Sequence, residues 1–101
     1  MATHQLTILW NDNSGYSVGS EPSEMAMNDT LNIFPPSGGC TVNFNPDLTQ
    51  SGTSYSSYNF GGTMQAFTVP TQANNYDFIF SVPGKNGKSG IPDHTIPIKK
   101  T

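Results

Sequence analysis

The chain has 101 residues, of which 34% are hydrophobic and only 11% charged, with a net charge of −3. That length fits one domain, residues 1–101, with one core. Its polarity comes from Ser, Thr, Asn and Gly, so charge-driven disorder is excluded. Four basic residues against seven acidic ones leave no footprint for a phosphate backbone, so a nucleic-acid partner is not expected. No apolar run approaches the roughly 20 residues of a membrane-spanning helix, so membrane insertion is not expected either.

From the start, Leu6, Ile8 and Trp10 alternate with polar neighbours and predict a half-buried strand. Asn11-Asp12-Asn13-Ser14-Gly15 breaks it with turn chemistry, and Tyr16-Ser17-Val18 resumes an extended pattern. Pro22 argues against a helix through the next segment. After Asn28-Asp29, a polar turn, Leu31 and Ile33 alternate as a further strand. Pro35 to Gly39 is the strongest break in the chain. Cys40, Val42 and Phe44 then share one strand face, with Pro46 expected to end it.

Residues 47–62 carry no apolar period and read as a long, polar, tyrosine-bearing loop. Gln65 to Val69 reads as a strand stopped by Pro70. Asn74-Asn75 turns the chain into the best strand signal, with Tyr76, Phe78, Phe80 and Val82 on one face. Pro83 to Gly90 reads as a flexible glycine-rich loop, and His94 to Lys99 as a closing strand in which Pro97 needs an outward or edge position. The expected architecture is all-β, a Greek-key β-sandwich of about seven to eight short strands. Cys40 is the one cysteine, so no internal disulfide forms and burial alone must hold the core.

The order of these elements resembles the cupredoxin family, over residues 4 to 100. In that family a Gly-Asp-Thr-Val-Thr-Phe segment precedes a ligand His. A Tyr-x-Tyr-x-Cys strand, a loop bearing His and Met, and a final Ile-x-Val-Lys strand follow. Asn28-Asp29-Thr30-Leu31-Asn32-Ile33 matches the first segment, Tyr76 to Ser81 the penultimate strand and Pro92 to Lys99 the last. The resemblance implies a cupredoxin-like fold but not its metal chemistry, because blue copper needs two imidazoles and a thiolate. Cys40 stands where the first His is expected, Ser81 stands where the Cys is expected, and the 83–90 loop holds neither His nor Met. No cofactor is therefore expected.

Two candidate sites remain. Cys40 and His94 are the candidate metal ligands, if the family's topology brings them to one end; their plainer readings are a buried apolar residue and a turn residue. His4, near the terminus, is expected to be solvated. Tyr55, Tyr58 and Asn59 form a candidate ligand-binding loop with the composition of a paratope, also suited to stacking on a carbohydrate ring. The plainer reading is that the tyrosines cover the sandwich edge. No nucleophile, base and orienting group stand in a recognisable motif, so an enzyme is not expected. The leading expectation is a non-catalytic interaction or structural module that binds a protein partner or itself. A non-standard Cys/His metal site and a carbohydrate-binding module are the alternatives. Met1-Ala2-Thr3-His4 reads as a cytoplasmic start, the other option being a secreted chain whose leader has been removed.

Overall fold

The computed structural model describes residues 1–69 and 77–99. Nine strands run through them: β1 (Thr3–Asn11), β2 (Gly15–Ser20), β3 (Met25–Ala26), β4 (Thr30–Phe34), β5 (Cys40–Gln50), β6 (Thr53–Phe60), β7 (Gln65–Thr68), β8 (Asp77–Val82) and β9 (Ile91–Lys99). No helix occurs among the described residues. The expected strands around Leu6, Leu31, Val42, Phe67 and Phe80 are all present. The expected turn at Asn74-Asn75, the strand stop at Pro70 and the place of Tyr76 lie outside the described residues.

The strands form one curled sheet in the order β2-β1-β4-β7-β5-β8-β9-β3, with β6 paired to β5. Most neighbours are antiparallel, while β1 runs parallel to β4 and β3 parallel to β9. Curling brings the inward faces together. Leu6, Ile8, Leu31, Ile33, Val42, Leu48, Phe67, Phe78, Phe80 and Ile96 are buried in one cluster. The period-two alternation of these residues is what puts them on the same face.

Of two segments read as loops, one is a strand hairpin and the other contains a tight turn. Residues 47–62, expected to be a long loop, are mostly the β5–β6 hairpin. Its turn has Ser51 and Gly52 at positive φ (50° and 81°), the backbone twist that suits a two-residue hairpin connection. β5 does not end at Pro46. It continues to Gln50, with an irregular register between Asn43 and Leu48. On the near side of that break β5 pairs with β8, and beyond it Thr49 meets Thr68 of β7. β5 thus carries the sheet around its corner. Within Pro83–Gly90 the chain makes a tight turn. Lys85 and Lys88 exchange both backbone hydrogen bonds across Asn86-Gly87, both at positive φ.

At one end of the molecule the chain is tied by Asp29, the one buried charged residue among those described. Its Oδ1 accepts the Ala2 N–H at 2.9 Å, and its Oδ2 accepts the Ala26 N–H at 2.9 Å and His4 Nε2 at 2.7 Å. His4 is therefore not solvated as expected; its side chain is 18% exposed and packed on the carboxylate. Burial works against the charged form, but the bonds from Ala2, His4 and Ala26 outweigh it and hold the carboxyl at about 2. An unfolded aspartate titrates near about 3.9. The folded value is the lower one, so this stabilisation is complete above about pH 4 and is lost as pH falls through about 2. In urea titrations at decreasing pH, Asp29→Asn is expected to show a flatter stability loss than wild type across that window. Asp29→Ala, which orphans three donors, is expected to cost roughly 2–4 kcal/mol at neutral pH. A wild-type-like midpoint for Asp29→Ala would refute the assignment.

Candidate functional site

The two tyrosines of the expected binding loop face inward. Tyr55 lies opposite Leu48 and Tyr58 opposite Val42, two buried residues of β5. They are three positions apart, so regular alternation would send them to opposite faces. The register break reverses the alternation at Ser56-Ser57, and both rings pack toward Phe67. The ring centroids of Tyr55 and Tyr58 lie 6.2 and 5.3 Å from that of Phe67, both in edge-to-face arrangements, and 5.1 Å from each other. Such pairs add about 0.5–1.5 kcal/mol beyond area burial. Both tyrosines are half-buried and packed against the core. Asn59 is exposed and takes the Thr41 hydroxyl on Oδ1 at 2.7 Å.

The structure does not bring Cys40 and His94 together. Phe44, Phe80 and His94 lie opposite one another across β5, β8 and β9. Cys40 stands four residues before Phe44. Strand spacing and rise then separate the two Cα atoms by on the order of 16 Å, beyond what two ligands about 2 Å from one ion can span. His94 instead pairs through Nε2 with Glu21 Oε2 and lies against the Phe80 ring.

Cys40 does lie close to the start of the glycine-rich turn. Cys40 and the Pro83–Gly84 turn line the same pocket, of about 290 Å³, with Tyr16, Gly39, Thr41, Asn59, Phe60 and Lys85. The cupredoxin resemblance would put copper at this end. Its donor set does not fit that metal. One thiol is present without an imidazole, and burial pushes that thiol up to about 11. Among the described residues no group of three His, Cys, Asp or Glu side chains could hold a metal ion.

Next to this pocket lies a second, of about 240 Å³, lined by Leu9, Trp10, Tyr16, Pro36, Ser37, Gly38, Gly39 and Lys85. The two share Tyr16, Gly38, Gly39 and Lys85 and form one bent groove. Its wall is the Trp10–Tyr16 pair, with centroids 4.6 Å apart and planes tilted by 59°. Trp10 lies opposite Tyr16 in the β1–β2 register, and its indole N–H donates to Asp12 Oδ1 at 2.7 Å. Burial, and after it the neighbouring Cys40, push the Tyr16 phenol up. The floor needs Gly39, whose φ is +76°. A Cβ there would meet the Phe60 carbonyl oxygen at 2.3 Å. Lys85 reaches over the indole, with Nζ 5.8 Å from its centroid.

Trp10, Tyr16 and Lys85 were not among the sequence candidates. The available signal was positional: Trp10 is the last inward position before the Asn11–Ser14 turn, which puts it on the rim and not in the core.

The half-buried thiol should alkylate slowly at neutral pH, with a rate that climbs until about pH 11. Iodoacetamide kinetics against pH check this, and a plateau near pH 8 would contradict it. Tyr58→Ala is expected to lower stability by roughly 2–4 kcal/mol in urea unfolding, a loss that a solvent-facing loop residue would not give.

No family model matches the sequence, and no curated protein matches it either. Among solved structures, the chain is similar to one described as a multicopper oxidase, with a TM-score of 0.64 and 10% sequence identity. That likeness covers 97% of this chain and 44% of the other, so this chain spans less than half of its neighbour's length. At that identity the likeness carries the architecture alone. The chain is an all-β domain of cupredoxin-like fold.

Proposed function

We propose that this domain is a non-catalytic interaction module that adds a strand along the open edge of β6, the occupant being a second copy of this chain. The observation that carries the reading is the edge itself. Among the described residues β6 pairs only with β5, and its eight residues, Thr53-Ser54-Tyr55-Ser56-Ser57-Tyr58-Asn59-Phe60, contain neither charge nor proline. An edge of that length spans about 27 Å. It has none of the lysines or prolines that keep edges from pairing.

The opposite long edge is different. On β2, Gly19 is the extra residue of a bulge between Thr7–Ser20 and Ile8–Val18. The Tyr16 N–H is also taken up by the Ser89 carbonyl at 2.9 Å. Both features blunt that edge. A two-fold antiparallel copy on β6 sets Ser, Thr and Asn opposite one another with no like charges to repel. A non-catalytic role agrees with the placement of the nucleophile and bases. Both imidazoles are bonded to carboxylates, His4 to Asp29 and His94 to Glu21, and neither is bonded to Cys40. A nucleophile without a base is inert.

Light scattering after size exclusion, over a concentration series, is expected to show a monomer–dimer equilibrium. Ser57→Lys, which puts like charges across the two-fold, should shift it to monomer. Ser17→Lys, on the blunted edge, should leave it unchanged. A strict monomer at millimolar concentration, or equal effects of the two substitutions in folded protein, would overturn the proposal.

A further inference from the structure

The bent groove beside Trp10 has a chemical character that the strand-edge reading does not use. One limb is lined by the half-buried Trp10 indole with Leu9 and Pro36, and the buried Tyr16 ring backs the indole. The other limb offers hydroxyl and amide groups from Thr41 and Asn59. The Thr41 hydroxyl is spent on Asn59 Oδ1, which leaves the Asn59 NH2 group to donate and a Thr41 lone pair to accept. Lys85 belongs to both limbs. Among the described residues its ammonium has no carboxylate partner, and it lies over the indole instead.

Charge at this end favours an anion. The Asn86-Gly87 turn carries Lys85 and Lys88, two of the four cationic side chains of the chain. The acid beside the groove is Asp12, whose Oδ1 already accepts the indole N–H. An extended peptide is poorly served here, since strand addition needs free main-chain groups. The Gly39 N–H is bonded to the Pro36 carbonyl, and Lys85 and Lys88 bond to each other. What the groove presents is ring faces, side-chain hydrogen-bonding groups and one unpaired ammonium.

From this juxtaposition we propose that the groove binds an acidic sugar, a pyranose ring bearing a carboxylate. The ring's apolar face packs on the Trp10 indole, its hydroxyls meet Asn59 and Thr41, and its carboxylate pairs with Lys85. Binding draws the Lys85 ammonium off the indole. The inference does not rest on pairing at β6: Trp10 belongs to β1, Thr41 to β5 and Lys85 to the Asn86-Gly87 turn, and Asn59 is the one contact taken from β6.

Trp10 is the single tryptophan, so its emission reports the groove directly. Titration with an oligogalacturonate is expected to give a saturable emission change that weakens with added salt. Lys85→Met, which keeps the aliphatic stem and removes the charge, is expected to weaken binding about tenfold or more. Asn59→Ala should weaken it less, and Lys99→Met, on the last residue of β9, should not change it. Thermal melts establish that each variant is folded. No saturable change up to about 10 mM, unchanged affinity in folded Lys85→Met, equal affinity for a neutral cello-oligosaccharide, or tighter binding of an oligoglutamate peptide would each overturn the proposal. Failure of this titration with a concentration-dependent dimer would reject the sugar site and leave the β6 edge standing.

Discussion

The Asp29 carboxylate is the contact on which the chain's path depends. A buried charge is costly unless donors surround it, and here two segments supply three of them: the Ala2 N–H and the His4 ring at the start of the chain, and the Ala26 N–H at the end of β3. Main-chain bonds reinforce the same point. Thr30 donates to Ala2, Asp29 to Ala26, and Val69 back to Asp29. These bonds fix where β1 starts relative to β4, and so set a parallel register that no hairpin could enforce. A one-residue slip there would turn Leu6 and Ile8 outward and break the Asp29 cluster together. In Asn28-Asp29-Thr30 the Asp is thus the acceptor that joins the strands.

Alternation made most of the fold legible. Leu6-x-Ile8, Leu31-x-Ile33, Val42-x-Phe44 and Phe78-x-Phe80 each face the core as their spacing requires. Where the reading failed, a local irregularity had erased the period. β6 was missed because Tyr55 and Tyr58 reach the same face through a register break, which no pattern of period two describes. The Asn86-Gly87 pair, a strong turn signal, was hidden by surrounding glycines that read as slack chain. Cys40 and His94 each lay near the end of a predicted strand, but sequence gives no offset between strands. The ladder through Phe44 and Phe80 supplies it.

The composition also acquires a meaning it did not have in one dimension. A chain with 34% hydrophobic residues and a single cysteine must use aromatic area economically. Phe67 does so as a hub, with Phe44, Tyr55, Tyr58 and Phe60 all within 6.2 Å of its centroid. The tyrosines that looked available for a partner are part of that economy. Their hydroxyl-bearing edges let them close the rim of a thin core where phenylalanine would leave an apolar surface in water.

The two ends of the molecule are consequently unlike. At one end polar groups converge on Asp29 and satisfy one another. At the other, the strands end in turns whose glycines hold the backbone close, as Gly39 does against Phe60 and Gly15 against the Ser89 carbonyl, and side chains are left facing a groove. A blue-copper site would need soft donors converging on a metal at that end. Here one raised-pKa thiol remains and the neighbouring surface is indole, phenol and ammonium. A groove of that chemistry selects ligands by ring faces and charge, not by coordination. Fold and function separate at this point: the architecture supplies the concavity, and Trp10, Tyr16 and Lys85 decide what can enter it.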